Sequence, residues 1–269
     1  MVFRYKKPDP LMMSFAAVAA ILVSFIALPL AATVAMEQPG DIAAALGDDD
    51  VRSAILTSFA AALIATALSL LLGTPLAYLM ARRRFPGKAA VQTVIDLPVV
   101  IPHTISGIAL LVVFGRMGLF SEGMSMLGLR FEDHMAGIVA AMMFVSASFV
   151  VNSLRDGFEK VDERLENVAR SLGATRLGTF LTVTLPLARS SFVTGAVMAW
   201  ARAVSEFGAV MVIAYFPKVI PTLAYERNVR GGLSESMPIA ALLILLCVGV
   251  FVLVRALAEF LDRQGADDE

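Results

Sequence analysis

Glu166-Asn-Val-Ala-Arg-Ser-Leu-Gly173-Ala-Thr-Arg-Leu-Gly-Thr-Phe-Leu-Thr-Val183-Thr-Leu185-Pro186 is a polar, amphipathic segment set between two long apolar runs. Phe158, Val161, Leu165, Val168, Ala169 and Leu172 recur at three- to four-residue spacing with charges between them, which predicts a helix. Gly173 follows Leu172, where a helix needs a residue free to turn left-handed and end it. Leu177, Phe180, Leu181 and Thr184 continue a second helix. Pro186 has no amide proton and marks the junction with the next apolar run. Two short helices joined at a glycine make a compact knob able to fill a cleft on a partner. Arg155, Asp156, Glu159, Lys160, Glu163, Arg164, Arg170 and Arg176 would add rim ion pairs, each worth only ~0–1 kcal/mol. The competing reading is an amphipathic loop lying on a bilayer surface.

The runs on either side decide the class. The chain has 269 residues, 58% hydrophobic and 17% charged, with mean hydropathy +0.78. A soluble domain would carry about 25% charge. Six apolar stretches stand out: 11–36, 54–81, 89–114, 136–154, 191–215 and 237–254. Most reach the ~20 residues that cross a ~30 Å hydrocarbon core. Runs this uniform exclude barrel strands, which alternate and are about ten residues long. The expected class is therefore all-α integral membrane with six transmembrane helices, a single transmembrane domain over 1–269, and a polar connection at 155–190. The first stretch follows Arg4, Lys6 and Lys7 but exceeds the ~7–15 residues of a signal-peptide core, so it is expected to be retained. The one cysteine, Cys247, excludes an intramolecular disulfide and reads as a small packing residue.

Lysine and arginine set the orientation. With the N-terminus inside, fifteen fall in inner segments and six in outer ones, and only Arg202 is left within a span. Both termini are expected to be cytoplasmic, which places 155–190 in the cytoplasm as the longest polar connection. No internal repeat is evident. Gly87-Lys88 is not a Walker A motif, because Arg82 stands where its first glycine belongs.

On these residues the segment 166–186 resembles the cytoplasmic "EAA" loop of ABC-importer permeases. That pattern is Glu-Ala-Ala, three residues, Gly, nine residues, then Ile-x-Leu-Pro. Ala169, Gly173, Leu185 and Pro186 fall in register, and Val183 takes the Ile place. Asn167 and Val168 replace the Glu and first Ala, with Glu166 one position early. Elsewhere, Gly73-Thr-Pro75-Leu-Ala-Tyr78 with Ala81-Arg-Arg-Arg-Phe-Pro-Gly-Lys88 looks like the end of a permease span and its turn. Asp96-Leu-Pro98-Val-Val-Ile-Pro102-His103-Thr104-Ile-Ser-Gly107-Ile-Ala-Leu-Leu111 looks like the two-proline pore helix of the family. Trp200-Ala-Arg202-Ala-Val-Ser-Glu206-Phe207-Gly208-Ala209 is similar to a segment of the molybdate/tungstate and sulfate branch. His103, Ile213-Ala-Tyr-Phe-Pro and Pro221-Thr-Leu-Ala-Tyr225-Glu226-Arg227 make the archaeal molybdate/tungstate permeases the best likeness, over roughly residues 15–255.

The resemblance implies a type I ABC importer permease with a coupling loop at 155–190. It implies a homodimer, two ABC ATPase subunits at the loops, an extracytoplasmic oxyanion-binding protein outside, and surrounding membrane lipid. It implies no catalytic residue, cofactor, metal or nucleic acid. The ATPase contact is expected from Glu166, Asn167, Val168, Ala169, Gly173, Val183, Leu185 and Pro186.

Translocation-pathway candidates are Asp96, Pro98, Pro102, His103, Thr104, Arg202 and Glu206. Pro98 and Pro102 free backbone carbonyls inside a span, a break that lipid tolerates only where protein or a wet cavity satisfies it. Arg202 and Glu206 lie four apart midway in the fifth stretch, and each alone costs ~2.5–3.5 kcal/mol at mid-bilayer. Pairing reduces that cost. It fits a packing pair, or a pair bordering the path with Arg202 offering charge to an oxyanion. Rival functions are a sulfate or thiosulfate permease and an ion-coupled secondary carrier. The carrier reading wants paired broken helices in two repeats. A membrane enzyme lacks its metal or Gly-x-Ser-x-Gly motif.

Overall fold

The computed structural model describes residues 10–267, with side chains through Leu253. Among them every regular element is helical. The order is α1 (Pro10–Ala35), α2 (Pro39–Gly47), α3 (Asp49–Arg82), α4 (Lys88–Val100), α5 (His103–Phe114), α6 (Ser121–Met126) and α7 (Met135–Lys160). Then come α8 (Glu163–Ser171), α9 (Arg176–Thr179), a π-helical turn (Phe180–Thr184), α10 (Leu185–Leu187), α11 (Arg189–Val204), α12 (Gly208–Ile213), α13 (Ile220–Gly231) and α14 (Leu233–Asp267).

Among the described residues four helices are long and apolar enough to cross a membrane: α1, α3, α7 and the Leu233–Leu253 part of α14. The number reaches six if each of two bent pairs counts as one span. In the first pair α4 and α5 meet at 116°. Its cause is local: Ile101 precedes Pro102 and is held extended at φ −75°, ψ 146°. In the second pair Arg176–Leu187 meets α11 at 74°.

Two stretches depart from continuous helices read along the sequence. The stretch 191–215 is not one continuous helix, because α11 stops at Val204 and α12 starts afresh at Gly208. The helix that carries the fourth stretch does not end at residue 154, because α7 runs on to Lys160 and takes in the first six residues of 155–190.

The centre is α3 against α7, with α11 across both. Ala61, Ala62 and Ala65 on α3, Ala141 on α7, and Ala199 and Ala203 on α11 are fully buried. Where lipid tails are as apolar as the side chains, helices associate by close packing, and small residues permit it. Helix α1 has no buried residue, the pattern of a helix that faces lipid or another chain. At the start of α3, the Asp48 side chain accepts from the Asp50 amide at 2.8 Å and caps the helix. Asp48 also pairs with Arg227 at 2.9 Å, tying α3 to α13.

Candidate functional site

The polar connection forms as two short helices around a glycine. Asp162 caps α8 by accepting from the Arg164 amide at 2.9 Å. At the other end the Gly173 amide donates to the Arg170 carbonyl at 3.0 Å, and the Ala174 amide to the Ala169 carbonyl at 3.1 Å. This is the paired closure that ends a helix when its next residue is left-handed. Gly173 has φ +96°. Thr175 then accepts from the Gly178 amide at 3.0 Å and starts α9. Val183 lies in the π-helical turn, and Leu185 and Pro186 in α10, just before the bend into α11.

Helix α8 is oriented with its carboxylate inward and its apolar ridge outward. Leu165, Val168 and Leu172 are exposed, Leu172 to 84%. Asn167 is exposed and Ala169 half-buried. Glu166 is buried. Its Oε1 accepts from Arg82 Nη2 at 2.8 Å, Arg82 Nε at 3.0 Å and the Thr184 hydroxyl at 2.9 Å. Its Oε2 accepts from the Tyr78 hydroxyl at 3.1 Å. Arg82 Nη2 also donates to the Val161 carbonyl at 2.9 Å. Burial alone would raise the Glu166 carboxyl, but the hydrogen bonds from Arg82, Thr184 and Tyr78 and the charge of Arg82 hold it below its ordinary range.

The sequence had Glu166 as a displaced motif residue expected at the ATPase contact, whereas its carboxylate is turned inward, and it had Arg82 only as one more inner cation. Their distance in the chain concealed the pairing. The available signal was the i,i+4 spacing of Tyr78 and Arg82 on one face of a helix that ends under the membrane span.

A second polar site lies where three helix ends meet. Arg202 is in the last turn of α11, His103 opens α5, and Glu206 sits in the break before α12. Arg202 Nη2 donates to Glu206 Oε2 at 2.7 Å and to His103 Nε2 at 2.7 Å. The same Nη2 stands 3.3 Å from His103 Nδ1, the ring nitrogen 3.7 Å from Glu206 Oε2. Glu206 Oε1 accepts the Ala209 amide at 2.8 Å. Arg202 and Glu206 are therefore not two residues of one continuous helical face: the carboxylate lies beyond the end of α11 and caps α12. Gly208 permits this convergence, since a Cβ there would stand 2.9 Å from His103 Cβ. Glu206 is fully buried, whereas the Arg202 and His103 side chains stay 21% and 38% exposed. Arg202 Nη1 reaches Ser205 Oγ at 3.3 Å.

The other pathway candidates separate from this site. Asp96 accepts from Asn152 Nδ2 at 2.8 Å and Gln92 Nε2 at 2.7 Å. Gln92 Nε2 also donates to Asn152 Oδ1 at 2.8 Å, and Arg155 Nη1 donates to Gln92 Oε1 at 2.6 Å. Asp96 is thus a strut between α4 and α7, and it does not share a site with His103. Gln92, Asn152 and Arg155 had no motif to announce them. Pro98 is buried in α4, while Pro102 and Thr104 are exposed at the break. Among the described residues no group of three or more His, Cys, Asp or Glu side chains is placed to hold a metal ion.

Comparison with known proteins gives a consistent picture. The sequence pattern of the family described as binding-protein-dependent transport system inner membrane component matches residues 73–264. The molybdate/tungstate transport system permease protein WtpB of Thermococcus kodakarensis is 45% identical over 248 residues, covering 90% of this chain and 93% of its own. That of Pyrococcus furiosus is 46% identical over 250 residues, covering 92% and 95%. The molybdenum transport system permease protein ModB of Escherichia coli is 35% identical over 221 residues, covering 80% and 95%. A bacterial alginate ABC transporter, solved with an alginate pentasaccharide-bound periplasmic protein, superposes with a TM-score of 0.71 at 18% identity over 94% of each chain.

Proposed function

The chain belongs to the binding-protein-dependent transport system inner membrane components, and from that premise we propose that it is the permease subunit of an ATP-driven importer of molybdate or tungstate. The observation that carries the substrate is the 45–46% identity, over nine-tenths of the chain, to two permeases named for molybdate/tungstate. The chain itself performs no bond chemistry; hydrolysis belongs to a separate ATPase. Two copies form the pathway, each presenting its 155–190 segment to one ATPase in the cytoplasm, with both termini on that side. An extracytoplasmic binding protein delivers the oxyanion from outside.

The geometry supports a mechanical route. Helix α8 follows α7 with only Val161 and Asp162 between them. It is clamped to the end of α3 through Glu166 and Arg82, and its partner segment leads through α10 into α11. A push on the exposed ridge of Leu165, Val168 and Leu172 therefore reaches the three helices that form the core. At the far end of α11 stands Arg202, whose Nε and one Nη1 hydrogen have no partner among the described residues. These donors suit a passing oxyanion, and Glu206 and His103 hold the guanidinium in place.

The test is reconstitution in proteoliposomes with the cognate ATPase and binding protein. ATP-dependent accumulation of molybdate or tungstate is expected, with no uptake of sulfate at equal concentration. Uptake that persists without ATP and follows an ion gradient would reject the importer reading.

A further inference from the structure

We propose that the cleft between the end of α3 and the α8–α9 turn binds a phosphate-type tetrahedral oxyanion group, a site separate from the transport pathway. The cleft encloses about 280 Å³ and is walled by Arg82, Arg83, Arg170, Arg176 and Thr179. Its charge is unbalanced. Four guanidinium groups face two carboxylates, Glu163 and Glu166. Glu166 is spent on Arg82, Thr184 and Tyr78. Arg170 donates only to neutral acceptors, the Glu166 carbonyl at 3.3 Å and the Asn167 side-chain oxygen. The Arg83 and Arg176 guanidinium groups have no hydrogen bond or ion pair among the described residues. Three guanidinium groups are thus left with at most one carboxylate, Glu163, which makes no ion pair among the described residues either.

Guanidinium forks match phosphate geometry two bonds at a time, and their mutual repulsion falls when an anion sits between them. A second observation points the same way. Thr179 is 3% exposed, lies in the wall of the cleft, and its hydroxyl has no hydrogen-bond partner among the described residues. Buried hydroxyls are rarely left unsatisfied; this one is closed to solvent here and becomes available to a ligand oxygen only if the wall of the cleft yields to it. The place fits as well. Arg83 directly follows a 34-residue apolar helix, where basic pockets meet the phosphates of lipid headgroups. Such a group would fasten the coupling segment to the membrane or, as a free anion, report its concentration to that segment.

The test uses the full-length chain purified in an uncharged detergent. Native mass spectrometry compares retention of phosphatidylglycerol with phosphatidylcholine, and inorganic phosphate is titrated by calorimetry and as a competitor. The parental chain is compared with Arg83→Gln/Arg176→Gln. The control, Arg84→Gln/Arg164→Gln, removes the same charge from exposed positions outside the cleft. Insertion and monodispersity verify that both variants fold. Preferential phosphatidylglycerol binding is expected, lost by roughly fivefold per arginine, or about twenty-five-fold, in the cleft variant and retained in the control. Insensitivity to inorganic phosphate assigns the site to a lipid; displacement by inorganic phosphate assigns it to a free oxyanion. The proposal falls if neither ligand is preferred, or if the two variants bind alike. It also falls if the cleft variant loses only ATPase assembly, which would make the arginines a protein contact.

Discussion

The Arg82 guanidinium closes on the Glu166 carboxylate from 84 residues away, with Nη2 at 2.8 Å and Nε at 3.0 Å from the same oxygen. Both side chains are more than nine-tenths buried. Removing one partner of a buried pair strands the other, at a cost of about 3–5 kcal/mol. Glu166→Ala is therefore expected to release α8 from α3 while insertion of the spans proceeds normally. Hydrogen exchange over 163–171 should rise, and stimulation of the ATPase should fall. Arg82→Lys should recover only part of the effect, since one ammonium cannot replace contacts to both Glu166 and the Val161 carbonyl. Unchanged exchange in Glu166→Ala would show that the clamp is not what positions α8.

The same carboxylate predicts a pH response. Its folded pKa is lowered, so the unfolded state binds the extra proton and the clamp weakens as pH falls. Its contribution is complete above the unfolded value of about 4.3 and is lost as pH drops through the lower folded value. Protection of α8, corrected for intrinsic exchange rates, should hold from neutral pH to about 5 and decline only below about 4. Glu166→Gln should abolish that decline. A loosening that begins between pH 7 and 6 would contradict the assignment.

Gly173 should tolerate substitution according to backbone, not space. A Cβ there meets nothing within 4 Å, yet φ is +96°. Gly173→Val is expected to cost roughly 1–3 kcal/mol of local strain and to impair ATPase assembly or stimulation. Gly173→Asn, a residue that enters the left-handed region more readily, should be milder. Full transport by Gly173→Val would sink the docking role of this turn.

Exchanging Arg202 and Glu206 does not separate a packing pair from a pathway contact. The Glu206 side chain is 1% exposed and accepts the Ala209 amide, so a guanidinium there loses the cap of α12 in either case. Arg202→Lys is the better test, because it keeps the charge and the pair while removing the planar donors. Assembly should be retained, with molybdate flux reduced about tenfold if one bidentate contact to the anion is lost. Flux at the parental rate would leave only the structural role.

Orientation is checked in a Cys247→Ala background. A cysteine at Asp49 should react with an impermeant reagent from outside, and one at Lys160 should not. The reverse pattern would invert the protein and remove the coupling argument.

The helical class, the long apolar helices and the helix–glycine–helix knob were legible because each depends on local periodicity. Apolar length sets the spans, and Gly173 announces its own turn. The stretch 191–215 does not read as broken, because Ala201–Val204 and Gly208–Ile213 are both helix-compatible. Nothing local marks Ser205–Phe207 as a break. That break is stabilised locally by Glu206 capping the Ala209 amide and, once α5 arrives, by His103.

The sequence by itself determined that this is a multi-span helical membrane protein with one polar knob, and its motifs pointed to the permease family. Composition and short-range spacing carry that information, since lipid forbids unpaired backbone and a helix ends where its residues require. Only the tertiary structure decided which polar groups meet. It put Glu166 inward on Arg82, turned the ridge of α8 outward, and joined Arg202 to His103 while sending Asp96 to Asn152. Those pairings span 56 to 99 residues. They follow from which helix faces oppose one another after packing, a relation that no window of the chain contains.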